Sequence, residues 1–225
     1  MKFTVQANLF IKPLQLALAS AETRSTLPIL SHFLIQEAQG GLSITGCNLE
    51  TELRTFAPAR VESAGGMTLE AQKLVNLVKQ LPGDADIAIS EANGRATLKA
   101  GKSRFTLSTY PAENFPAFPV GDIKATTKIP FAVLAEKDSG AVRLEYREGE
   151  LHISLSNAVD ENANDAIPAE IEGELEGVSF NPNYLLDALT HLHAEKVELA
   201  LSQAYNQCRL TDDSSVVHVV MPMRV

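Results

Sequence analysis

Positive charge is scarce in this chain: 19 lysines and arginines stand against 28 aspartates and glutamates, a formal net charge of −9. That deficit excludes a protein that grips nucleic acid by bulk basicity alone. Cysteine is scarcer still. Cys47 and Cys208 lie far apart, form no CxxC or metal-binding spacing, and sit among apolar, strand-like neighbours, as small hydrophobic residues do rather than nucleophiles. No apolar run approaches the ~20 residues of a membrane-spanning helix. The opening Met1-Lys2-Phe3-Thr4-Val5 goes straight into alternation, with no signal-peptide core. GxGxxG, P-loop, GxSxG and HExxH patterns are all missing. His191-x-His193 has no third ligand at a useful spacing, and Asp84-x-Asp86 and Asp212-Asp213 read as turn residues. Together these absences predict a cytoplasmic protein, not an enzyme, that carries no cofactor and no metal.

The 225 residues are 45% hydrophobic and 21% charged, a globular composition long enough for one large domain or two ordinary ones. Charge favours two. Residues 1–120 carry 11 basic and 10 acidic side chains, whereas residues 121–225 carry 8 and 18.

Hydrophobic periodicity then resolves a repeat. Phe3-Thr4-Val5 reads as a strand and Leu9 to Ala19 as a helix, whose start Pro13 leaves open. His32 to Ile35, Leu42 to Thr45 and Glu52 to Phe56 then alternate like half-buried strands, with Gly40-Gly41 marking a hairpin. The pattern restarts at Met67-Thr68-Leu69 with a helix over Ala71 to Leu81, stopped by Pro82-Gly83. Strands follow at Ile87 to Ile89, Ala96 to Leu98 and Arg104 to Ser108. Pro111, Pro116 and Pro119 punctuate a linker. A third unit opens at Thr127-Lys128-Ile129, with a short helix over Phe131 to Glu136, strands at Val142 to Tyr146 and Leu151 to Leu155, and an acidic strand ending Ala169-Glu170-Ile171. A fourth has Val178 to Phe180, a helix over Asn183 to Leu192, and strands at Val197 to Ala200, Cys208 to Leu210 and Val216 to Val220. The expected fold is α+β: two domains, residues 1–120 and 121–225, each of two βαβββ units with helices on one face of antiparallel sheets.

Several segments resemble the bacterial DNA polymerase III β sliding clamp. They are Met1 to Val5, Lys12-Pro13-Leu14-Gln15, Arg24 to Leu30, Ser103 to Thr109, Asn114-Phe115-Pro116, Phe180 to Asp187 and Val219 to Val225. The chain matches that family's first and last domains and lacks its middle one. Ile129 to Leu134 reads equally as a shortened third helix and as a remnant of the middle domain's opening. The resemblance implies curved sheets outside a ring lined by helices, which encircles double-stranded DNA without regard to sequence and tethers a DNA polymerase and clamp loader through short peptide motifs. On its terms Arg24, Lys12, Gln15, Lys73 and Lys79 face DNA. Asn181, Tyr184, Tyr205, Gln207, Val219, Met221, Pro222, Met223 and Arg224 form half of a partner-peptide pocket. The other half, which comes from the family's middle domain with its Gly-His-Arg-Leu turn, has Thr45 to Glu50 as its topological equivalent here, without the His-Arg pair. Phe105 and Leu107 on one edge meet Ile167 and Ile171 on the next copy's edge.

Four helices per chain, spaced by ~10 Å, leave a hole of roughly 15 Å in a dimer and roughly 28 Å in a trimer. Only the trimer admits a duplex of about 20 Å, so a head-to-tail homotrimer is expected. The competing expectation is a clamp-like interaction protein that binds clamp partners, or caps a clamp edge, without encircling DNA.

Overall fold

The computed structural model describes residues 1–22, 26–118, 123–130, 141–156, 162–173, 177–192, 196–202, 207–212 and 216–223. The expected helix over Phe131 to Glu136, and Arg24, His193, Tyr205 and Arg224, lie outside the described residues. The chain divides into two compact units, Met1–Ala117 and Phe118–Val225. None of the described helices is long and apolar enough to cross a membrane.

The first unit runs β1 (Lys2–Gln6), α1 (Ala7–Leu18), β2 (His32–Ala38), β3 (Gly41–Cys47), β4 (Thr51–Pro58) and β5 (Arg60–Ser63). It then repeats as β6 (Gly66–Glu70), α2 (Ala71–Lys79), β7 (Asp86–Ala92), β8 (Arg95–Ala100) and β9 (Ser103–Ser108). The repeats exchange their first strands. β1, beside β5 of its own repeat, pairs antiparallel on its other edge with β7 of the second, Phe3 opposite Ile89. β6 in turn pairs with β2, Leu69 opposite Phe33. The sheets are therefore ordered β5-β1-β7-β8-β9 and β4-β3-β2-β6.

Both helices press the same face on these sheets. Ala7, Phe10 and Leu14 of α1 are buried, as are their counterparts Ala71, Leu74 and Val78 of α2. Each large side chain so removed from water stabilises by about 1.5–3 kcal/mol before chain entropy is counted. Phe3 and Phe10 meet edge to face, with ring centroids 6.3 Å apart.

The second unit repeats the plan with β10 (Ile123–Pro130), β11 (Ala141–Arg147), β12 (Glu150–Ser156), β13 (Asn162–Pro168), β14 (Ile171–Gly173), β15 (Val178–Phe180), α3 (Pro182–Thr190), β16 (Lys196–Ser202), β17 (Cys208–Thr211) and β18 (Val217–Val220). Here too the first strands cross over. β10 pairs with β16 and β15 with β11. One sheet is ordered β13-β12-β11-β15, and β14-β10-β16-β17-β18 run side by side in the other.

Three elements differ from the sequence pattern. α1 starts at Ala7, so Pro13 is its seventh residue and lies inside the helix. The early start is held by remote partners, since the Ala7 and Asn8 N–H groups donate to the Ala85 and Gly83 carbonyls at 3.0 and 2.9 Å. β5, with one apolar residue in Arg-Val-Glu-Ser, has too little hydrophobic alternation to be seen and exists because it pairs with β1. The single acidic strand expected through Ile171 is two strands. Ile167 lies opposite Leu151 in one sheet, whereas Ile171 lies opposite Thr127 in the other. The first of them ends at Pro168.

Candidate functional site

Three surfaces gather the residues singled out from sequence. The first is the outward face of α1 and α2. Asn8, Lys12 and Gln15 on α1 are exposed in one stripe, and Gln72, Asn76 and Lys79 occupy the equivalent stripe of α2. Both stripes exist because the opposite positions are apolar and buried. α2 is further fixed by Glu70, whose Oε2 accepts the Lys73 N–H at 3.0 Å at the helix start. Lys12 and Lys79 are the cations of this face. Lys73 is turned a quarter of the helix away and lines a different feature. On α3 the exposed residues are Asn183, Asp187 and Thr190, which carry no positive charge.

The second surface is a cleft of about 460 Å³ between α2 and the edge strand β9. Lys73, Leu77, Arg104, Phe105 and Leu107 are among the residues that line it. β9 pairs only with β8 among the described residues, so its other edge is open. Phe105 and Leu107 are half-buried there, apolar side chains beside unpaired backbone. Such an edge is a ready template for another strand. Ile167 lies on β13 of the second unit, which pairs only with β12 among the described residues, and Ile171 lies on β14 in the other sheet.

The third surface is the segment following β18. Met221 and Pro222 are half-buried, Met223 is 41% exposed, and the Met223 N–H donates to the Ser179 carbonyl at 2.7 Å. This bond carries the chain end from one sheet of the unit across to β15. Val219 is buried. Asn181 caps α3, its Oδ1 accepting the Asn183 N–H at 3.0 Å, and Tyr184 is half-buried in the first turn. The Ser202 N–H donates to the Gln207 carbonyl, and the Gln207 N–H donates to the Ser202 hydroxyl oxygen.

Beneath this segment lies a pair that sequence reasoning separated. His191, noted only as part of an HxH pattern, stacks on His218 of β18 with centroids 5.3 Å apart and planes at 21°. His191 Nδ1 lies 2.8 Å from the Asp187 carbonyl and donates to it in the matching tautomer. His218 is 3% exposed, and its Nε2 has no hydrogen-bond partner among the described residues. Burial, with His191 adding to it, pushes its pKa down to about 3, against a smaller upward pull from Asp212. No helix or strand period brings residues 191 and 218 together; the packing of α3 on β18 does. Both cysteines are buried and free, and burial pushes the Cys47 thiol up to about 11 and that of Cys208 higher still.

Residues 1–119 match the N-terminal domain of the DNA polymerase III beta subunit, and residues 125–224 match the C-terminal domain of the same subunit. The chain belongs to the DNA polymerase III beta subunit family. Among curated relatives, the Beta sliding clamp of Pseudomonas putida is 43% identical over 125 residues, which is 54% of this chain and 33% of that protein. The Beta sliding clamp of Escherichia coli is 41% identical over 117 residues, 52% of this chain and 32% of that one. Each match thus spans about a third of the relative's length. The Helicobacter pylori beta clamp bound to a DNA ligase peptide has a TM-score of 0.83 at 18% identity, covering 99% of this chain and 66% of that chain. The fold is therefore that of the sliding clamps. The two beta-subunit matches leave only residues 120–124 between an N-terminal and a C-terminal domain.

Proposed function

We propose that this short beta-subunit chain assembles head to tail into a closed ring that encircles duplex DNA and tethers a DNA polymerase to it. One observation carries the reading. The chain retains a family N-terminal domain with an open β9 edge and a family C-terminal domain with an open β13 edge, so each copy offers the two ends of a head-to-tail contact. Phe105 and Leu107 of one copy would meet Ile167 of the next. On the sequence expectation of four helices per chain, three copies would supply twelve helices, whose circle leaves a hole of roughly 28 Å, against roughly 15 Å for two copies. Lys12 and Lys79 would then face phosphates, contacts that carry no sequence information. The segment from Val219 through Met223, with Asn181 and Tyr184, would receive partner peptides. A methionine-rich chain end suits such a role because methionine adapts its shape.

Mass by light scattering, paired with retention on circular and linear DNA, tests the proposal. A three-chain mass and a complex that survives on closed circles but slides off linear ends is the expected result. A one-chain mass at every concentration, or equal retention on both DNA forms, overturns it in favour of an interaction protein that does not encircle DNA.

A further inference from the structure

The free edge of β13 is covered by its own residues. Glu148 and Gly149 turn the β11–β12 hairpin with φ of 54° and 88°, which makes Arg147 and Glu150 a hydrogen-bonded pair. Alternation from there directs Leu151 and Ile153 toward β13, opposite Ile167 and Asp165. The Ala169 N–H, donating to the Gly149 carbonyl at 3.2 Å, keeps the same phase. Asn162, Asn164, Ala166 and Pro168 therefore turn their backbone outward, to the free edge. Pro168 has no N–H to offer. The Ala166 N–H is taken by the carboxylate of its neighbour, Asp165 Oδ1, at 2.9 Å. From Asn164 to Pro168, only Asn164 keeps an outward donor that is uncovered among the described residues.

The β9 edge is built differently. By the same phase its outward residues are Arg104, Thr106 and Ser108, with no proline among them and no side chain over their N–H groups among the described residues. Beside them stand two cations. Arg104 makes no ion pair among the described residues, and Lys73 Nζ is a distant 3.8 Å from Glu70.

We propose that Asp165 is a guard on the β13 edge that yields only to a strand bringing positive charge, namely the β9 edge of a second copy. This rests on the head-to-tail reading above and specifies how that contact is made. In the free chain the carboxylate occupies the Ala166 N–H, so an arbitrary strand finds no donor between residues 165 and 168. When Arg104 or Lys73 of a second copy arrives, the carboxylate pairs with the cation and the Ala166 N–H is released to a β9 carbonyl. Ile167, on the same face as Asp165, enters the apolar part of the cleft. The exchange replaces one local hydrogen bond by an ion pair together with an inter-strand hydrogen bond, and it rejects neutral or acidic edges.

Asp165→Asn and Asp165→Ala separate the two roles, because asparagine keeps the acceptor oxygen and loses the charge. Sedimentation reads self-association, and amide exchange reads Ala166. Asp165→Asn is expected to weaken association about three- to tenfold while the Ala166 amide stays protected. Asp165→Ala is expected to expose that amide and to give association that no longer responds to salt. The charge exchange Asp165→Lys with Arg104→Glu restores salt-sensitive association. A native chain that associates while Asp165→Asn matches it, or an Ala166 amide unchanged in Asp165→Ala, overturns this inference alone. A native chain and an Asp165→Ala variant that both stay monomeric overturn the head-to-tail reading itself.

Discussion

His218 is neutral in the folded chain because it is buried against His191 with a ring nitrogen unpartnered among the described residues. Its folded pKa of about 3 lies below the ordinary 6.5, so below pH 6.5 the unfolded chain binds the extra proton. The stability this histidine contributes is therefore complete above 6.5 and is lost progressively as pH falls from there toward about 3. The expected outcome is a urea midpoint for the second unit that declines over that window, and a His218→Phe variant whose decline is shallower. An identical pH profile for the variant would show that other groups govern the acid sensitivity. Gly46 makes a different kind of single-residue constraint. A Cβ there would overlap the Ala17 carbonyl, so β3 reaches α1 only because the side chain is absent. Gly46→Ala is expected to cost about 1–3 kcal/mol, read as a lowered melting temperature.

The elements divide according to what a linear pattern can carry. α2 was legible in its spacing: Leu74, Val75 and Val78 repeat at helical intervals and the exposed stripe with Lys79 follows from the buried one, whereas the Glu70 cap and the turn of Lys73 toward β9 had no signature in sequence. That face supports a prediction of its own. Lys12→Glu and Lys79→Glu should each weaken retention on circular DNA and lower the salt slope by about one, with melting temperature unchanged. Lys73→Glu should instead disturb self-association, since its side chain lies in the β9 cleft. Equal loss of DNA retention in all three would return Lys73 to the DNA-facing group. The β13 region was not legible. Alternation shows which side chains share a face, but the direction of each N–H depends on the β12 register, which the turn at Glu148 and Gly149 fixes. The chain end was legible as a strand and as a candidate groove, yet its hydrogen bond to Ser179 had no signature in sequence. Met223, 41% exposed, separates these roles. Met223→Ala should reduce binding of a clamp-partner peptide several-fold while changing stability by less than about 0.5 kcal/mol. Unchanged peptide affinity would remove Met223 from the groove.

For the molecule as a whole, a head-to-tail contact would set the near-neutral half against the acidic half, so net charge does not oppose it. Each domain also inherits a folding problem from the way its repeats are joined. Phe3 pairs with Ile89, and Leu69 with Phe33, so no repeat can complete a sheet from its own residues. A ribosome that has released only the first repeat has released β1 without its neighbour β7. The topology has high contact order: loops of many tens of residues must close before the ladders reward them. Folding of the first domain should therefore be slow and all-or-none, with its two repeats unable to stand apart. A nick or truncation that removes only Lys2–Gln6 would take a central strand from between β5 and β7, and so would unfold residues encoded far downstream of the cut.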